Sequence, residues 1–148
     1  MKAQPGGRVL ELTRVLNAPL ARVFRALTEP AELVTWWGPH GFTTPEITLD
    51  VHVGGRYRFT MQPPDGDPFH LSGEFLEVDP PNRLVYTFRW DEPAPDDQET
   101  VVVLTFQAVN DGTRVSLSHG EFATEERLAL HRGGWTDAFD RLRALVEP

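Results

Sequence analysis

A chain of 148 residues with 40% hydrophobic and 24% charged side chains has the balance of a globular unit able to bury its own core, which excludes a disordered or membrane class. Fourteen Lys and Arg against 22 Asp and Glu give a net charge of -8, which repels a phosphate backbone and argues against nucleic acid as a partner. No cysteine is present, so disulfides, thiolate nucleophiles and thiolate metal sites are excluded. The lack of a signal-type or bilayer-length apolar run makes the cytoplasm the expected compartment, without membrane insertion.

Residues 1–7 are polar and contain Gly and Pro, and are expected to form a flexible N-terminus ahead of one domain over 8–148. Arg8 to Leu16 alternates, placing Leu10, Leu12 and Leu16 on one face of a strand. Pro19 suits the first position of a helix, and Leu20, Val23, Phe24 and Leu27 follow at helical spacing. Pro30 opens a second short helix carrying Leu33, Trp36 and Trp37, which Gly38-Pro39 stops.

From Phe42 to Phe122 the period becomes two. The apolar sets are Ile47, Leu49 and Val51; Tyr57, Phe59 and Met61; Leu71 and Phe75; Leu84, Tyr86, Phe88 and Trp90; Val102, Leu104 and Phe106; Val115 and Leu117. Gly54-Gly55, Pro64-Asp65-Gly66, Pro80-Pro81-Asn82 and Asn110-Asp111-Gly112 supply the turns between them. Glu92 to Asp97 reads as an acidic loop. The helical period then returns, with Leu128, His131, Trp135, Ala138 or Phe139, Leu142 and Leu145 on one stripe of the longest helix. The whole predicts an α+β fold in which an antiparallel sheet bends around the terminal helix, one face buried and the other wet. A space enclosed between a bent sheet and one helix is a natural pocket, and the aromatic inner faces make it apolar.

Trp36-Trp37-Gly38-Pro39, Gly54-Gly55-Arg56-Tyr57, Gly73-Glu74-Phe75, Asp79-Pro80 and Arg83-Leu84-Val85-Tyr86-Thr87 stand in a recognisable order, continued by Asp111-Gly112-Thr113, His119-Gly120-Glu121-Phe122 and Gly134-Trp135. Together they resemble the family named for the activator of heat-shock protein 90 ATPase, within the START-like (SRPBCC, helix-grip) superfamily, over about Val9 to Leu145. The resemblance implies a seven-stranded curved antiparallel sheet around the C-terminal helix, two short helices after the first strand, and a hydrophobic cavity. It also implies ligands such as lipids, sterols, hormones or polyketides, and in some relatives cyclase or aromatase chemistry. The eukaryotic activator carries a further N-terminal domain, which is expected to be absent here because the strand matching the start of the fold begins at about Arg8.

Adjacent helical residues point about 100° apart. Trp36 and Trp37 therefore cannot both face one core stripe, and the pair either forms the mouth and wall of the pocket or serves packing alone. Trp90, Phe88 and Trp135 are open to either role, and Gly134 lets the helix approach the sheet or leaves room for a guest. His119 continues the inward parity of Val115 and Leu117, so it either orients a polar ligand group or is a buried histidine satisfied by neighbours. His131 on the apolar stripe reads the same way. The histidines lack metal-site spacing, and no nucleophile elbow, P-loop or dinucleotide fingerprint occurs, so no metal, cofactor or catalytic residue is assigned. Asp50, Glu74, Glu77 and Glu99 have mostly outward parity and form no acid/base pair.

The expected function is a binding protein for a small hydrophobic or amphipathic ligand, with Trp36, Trp37, Phe59, Met61, Phe88, Trp90, Phe106, His119, Trp135 and Phe139 as candidate cavity liners. Two other roles stay open: a cyclase- or aromatase-like enzyme using His119 for proton transfer, and a stress-related co-chaperone with heat-shock protein 90 as partner. A homodimer is compatible with all three.

Overall fold

Period-two segments in a chain form a sheet only if each finds a partner, and here every one does. In the computed structural model, which describes residues 7–148, the order is β1 (Leu10–Leu16), α1 (Leu20–Thr28), α2 (Pro30–Trp36), β2 (Thr43–Leu49), β3 (Arg56–Gln62), β4 (Phe69–Asp79), β5 (Arg83–Trp90), β6 (Thr100–Val109), β7 (Gly112–Gly120) and α3 (Glu125–Val146). The strands form one seven-stranded sheet in the order β1-β7-β6-β5-β4-β3-β2, antiparallel at each pairing. Consecutive strands β1 and β2 thus lie at opposite edges, and the two short helices carry the chain across. The expectation for residues 1–7 falls, but for Gly7, outside the described residues. Among those described, no helix is long and apolar enough to cross a membrane.

The sheet curls because its strands are interrupted at defined places. Registers shift between Thr43 and Glu46 on β2 and between Phe75 and Glu77 on β4, and bulges of this kind bend and twist the strand that carries them. At Gly73 a Cβ would run into the Thr87 carbonyl and the Tyr57 ring. Only glycine lets Tyr57 lie across β4 and donate from its hydroxyl to the Thr87 carbonyl at 2.6 Å.

The concave face holds Leu10, Leu16, Tyr57, Leu71, Leu84, Leu104 and Leu117, all buried against α1, α2 and α3. The convex face is charged, with pairs at 3.6 Å (Arg56–Glu74), 3.0 Å (Arg58–Asp91) and 3.1 Å (Arg83–Glu77). Glu74 and Glu77 therefore have the outward parity read from the sequence. Val85, 6% exposed on that same face, is shielded by its cross-strand neighbours Glu77 and Val103, so the outer face is not wet throughout.

Helix ends depart from the sequence reading in small ways with clear causes. Pro19 is the N-cap of α1, with an extended ψ of 150°, one place earlier than expected, whereas Pro30 opens α2 as expected. Ala26 in α1 has Pro30 four residues ahead, and proline has no N–H to give its carbonyl. The Trp36 indole N–H fills that role at 2.9 Å. Thr124 caps α3 by accepting from the Arg127 amide at 3.1 Å, and Glu125 and Glu126 follow in the first turn where the dipole favours anions. The buried stripe of α3 is His131, Trp135, Ala138, Phe139, Leu142 and Val146. Val146 takes the last place expected for Leu145, which is half-buried, because the helix turns 3.6 residues per cycle and Val146 lies four beyond Leu142.

Candidate functional site

The α2 helix stops between its two tryptophans. Trp37 leaves the helix with φ -61° and ψ 136°, and Gly38 and Gly41 follow at φ 104° and 88°, a region that favours glycine. The extended turn swings the Trp37 ring out of line with Trp36, so both are buried yet face different neighbours. Trp36, 1% exposed, is wholly inside the packed core. Trp37 makes edge contacts with Trp36, Phe59 and Trp135 at centroid distances of 5.6, 5.1 and 5.2 Å. Arg141 of α3 holds this turn, with one guanidinium nitrogen 3.2, 3.1 and 3.1 Å from the carbonyl oxygens of Trp37, Gly38 and Pro39.

Beside that turn lies a cavity of about 710 Å³. Its walls are the turn itself (Trp37 to Pro39, and Phe42), the ends of β3, β4 and β5 (Met61, Phe69, Phe88, Trp90), the acidic loop (Glu92, Ala94, Asp97) and the N-terminal half of α3 (Arg127 to Ala138). Leu130, on this lining, is 59% exposed, which places it where the cavity meets solvent. Gly133 and Gly134 form part of the helical wall. A Cβ at Gly133 would meet nothing within 4 Å, and one at Gly134 only the Pro39 ring at 3.8 Å. Neither glycine is required by close packing, although each costs a helix interior about 1 kcal/mol relative to alanine.

Of the residues expected to line a cavity, Trp37, Met61, Phe88, Trp90 and Trp135 do. Trp36, Phe59, Phe106, His119 and Phe139 do not border it. Phe59 and Trp37 edge a separate void of about 20 Å³, Phe106 meets Phe24 edge to face at 5.4 Å, and Phe139 packs on Trp135 at 5.7 Å. Parity does not explain the division, since Phe88 and Phe106 both point inward; what differs is where along the curled sheet each side chain meets α1 and α3. Phe69, absent from the sequence list, extends the inward set of Leu71 and Phe75 by one step of two, so its signal was present. Phe42, Arg127 and Asp97 are in turns or on the flank of α3, where periodicity says nothing about direction.

Two histidines connect cavity to core. An indole N–H can only donate, so His131 Nε2, 3.0 Å from Trp90 Nε1, accepts, and its Nδ1–H donates to the Arg127 carbonyl at 2.7 Å. By the same logic His119 Nδ1 accepts from Trp135 Nε1 at 3.0 Å, and its Nε2–H donates to Thr100 Oγ1 at 2.8 Å. Each ring is thereby held in one neutral tautomer. Burial lowers the pKa of His119 well below 6.5, assisted by His131, and burial likewise lowers that of His131. His119 points inward as its parity predicts, but it is fully buried between the Phe88 and Phe122 rings, 4.4 and 4.6 Å away, and both its nitrogens are bonded to protein. Trp37 Nε1 is the one buried side-chain donor without a partner among the described residues.

The family described as Activator of Hsp90 ATPase homolog 1-like protein matches residues 17–147. A crystal structure of a protein from Chromobacterium violaceum is similar at 30% identity and a TM-score of 0.85, over 95% of this chain and 98% of that one. One from Nitrosomonas europaea is similar at 29% identity and a TM-score of 0.82, over 98% and 97%. The AHSA1 protein from Silicibacter pomeroyi is similar at 28% identity and a TM-score of 0.81, over 92% and 95%. No curated protein matches. With its curved seven-stranded sheet gripping a long terminal helix, the chain belongs to the family of activator of Hsp90 ATPase homolog 1-like proteins, consistent with the START-like superfamily.

Proposed function

We propose that this protein binds a small apolar or amphipathic molecule in the cavity between the strand ends and α3, as a carrier or sensor in the cytoplasm. The observation that carries this reading is the cavity itself. Its volume of about 710 Å³ is in the range of small-molecule sites, and tryptophan, phenylalanine and methionine dominate its sheet side. A core of this size gains stability from every contact it makes, so a space lined by two helix-weakening glycines is retained at a cost to folding. Ligand binding accounts for that cost.

Catalysis by His119 is the weaker reading. General acid/base work needs a ring nitrogen within reach of substrate, and those of His119 are bonded to Trp135 and Thr100 behind the cavity wall. The activity in the family's name remains a property of the protein for which it was named; the cavity favours a ligand here.

Native mass spectrometry of gently purified protein tests the proposal. The expected result is a mass increment from a small molecule in the wild type, absent from Gly134→Leu, whose side chain would occupy the cavity. Bare protein in both, together with no uptake from a panel of apolar and amphipathic compounds, would overturn it.

A further inference from the structure

The polar part of the cavity lining is one-sided in charge. Glu92, Asp97 and Asp137 stand on it with a single guanidinium, Arg127. Arg127 is already engaged: its Nε is 2.9 Å from Asp96 and its Nη1 3.7 Å from Asp97. Arg141, the other guanidinium nearby, spends its inward nitrogen on three backbone carbonyls. His131 offers neither a charge nor a free ring nitrogen, since Trp90 and the Arg127 carbonyl take both. Among the described residues, an anionic headgroup entering the cavity would thus meet carboxylates and no free guanidinium.

The carboxylates are also bonded, Glu92 to the His70 amide and ring, Asp137 to the His40 amide and Asp97 to the Ala94 amide, but a carboxylate oxygen has a second lone pair and two of the three side chains reach solvent. The Glu92 and Asp137 side chains are 51% and 37% exposed, and they come from different elements, the loop after β5 and α3. The hydrogen bond from His70, at 2.7 Å, holds Glu92 below the usual carboxylate range, keeping it ionised. The rings on the wall, among them Trp37, Trp90 and Trp135, belong to the class whose π-faces attract cations, indole most strongly. A protein of net charge -8 also draws cations toward such a cleft.

Resting on the reading of the cavity as a ligand site, we propose that its ligand is an organic cation: a positively charged nitrogen at the acidic rim, carried on an aromatic or aliphatic body that fills the apolar interior.

Calorimetric titration of the full chain with three probes sharing one ring system tests this: naphthylmethyl-trimethylammonium, naphthylmethanol and naphthylacetate. The ammonium should bind on the order of tenfold more tightly than the alcohol, and the carboxylate more weakly than either. High salt should shrink the advantage of the cation, and Glu92→Gln should narrow the gap between ammonium and alcohol. Equal affinities for ammonium and alcohol, a carboxylate that binds best, or a gap unmoved by both salt and Glu92→Gln would overturn the charge preference and leave the apolar site standing. Failure of all three probes to bind would overturn the ligand site as well.

Discussion

Trp36 and Trp37 are adjacent, similar in burial and different in what their indole N–H groups do. Trp36 satisfies a carbonyl that Pro30 leaves without a donor, inside a helix end where Ala26 is fully buried. The Trp37 donor has no partner. Replacing either ring by phenylalanine removes the same volume, so the difference between the two substitutions isolates the polar contribution. Trp36→Phe should cost about 1 to 3 kcal/mol more than Trp37→Phe, since it strands a buried acceptor whereas the other removes an unsatisfied donor. Urea midpoints of the two variants give the comparison directly, and equal midpoints would refute it.

His119 and His131 make a second prediction at this scale. Both fold with a pKa below 6.5, so between that value and the lower folded ones the unfolded chain binds protons that the native state does not. Stability is therefore retained above about pH 6.5 and falls as pH drops beneath it, by up to about 1.4 kcal/mol per pH unit for each ring. Denaturation measured from pH 7.5 down to the carboxylate range should show this slope, reduced in His119→Phe even though that variant starts less stable. A wild-type stability flat across that interval would show that the rings are not held neutral.

At the scale of the element, α3 has two jobs, and they separate along its length. Leu142, fully buried and outside the cavity lining, is a packing residue. Leu142→Ala should cost about 2 to 5 kcal/mol and leave probe affinity nearly unchanged. Gly134 is the reverse case. Gly134→Ala should stabilise the fold by up to about 1 kcal/mol, because its Cβ meets nothing closer than 3.8 Å and alanine is the better helix former. It should also weaken binding, as the added methyl narrows the cavity beside Pro39. Thermal melts and probe titrations on both variants would reveal the separation, and a destabilised Gly134→Ala with full affinity would contradict it.

For the molecule as a whole, what was legible in the sequence follows how each feature is encoded. Strand and helix order was readable because alternation and the 3.6-residue stripe report burial locally, as in Leu84, Tyr86 and Phe88 or in Trp135, Phe139 and Leu142. The family was readable from the order of turns and packing motifs. The cavity was only half readable. Inward parity is the same for Phe88, which borders the cavity, and Phe106, which packs on Phe24. Which of them faces empty space depends on how far the sheet curls and where α3 crosses it, and that is a sum over bulges, the close approach at Gly73 and the Arg141 clamp. No single position carries it. The acidic rim was visible as composition in the 92–97 loop, but its juxtaposition with Asp137 depends on tertiary structure.

The four tryptophans offer a direct test of the central claim, since Trp37, Trp90 and Trp135 border the cavity and Trp36 is in the core. Titrating the nitrogen-15-labelled protein with naphthylmethanol while following the indole N–H resonances reports on all four in one spectrum. The expected result is saturable movement of the Trp37, Trp90 and Trp135 signals with Trp36 stationary. Four stationary signals, or a Trp36 signal that moves as far as the others, would contradict a ligand site in this cavity.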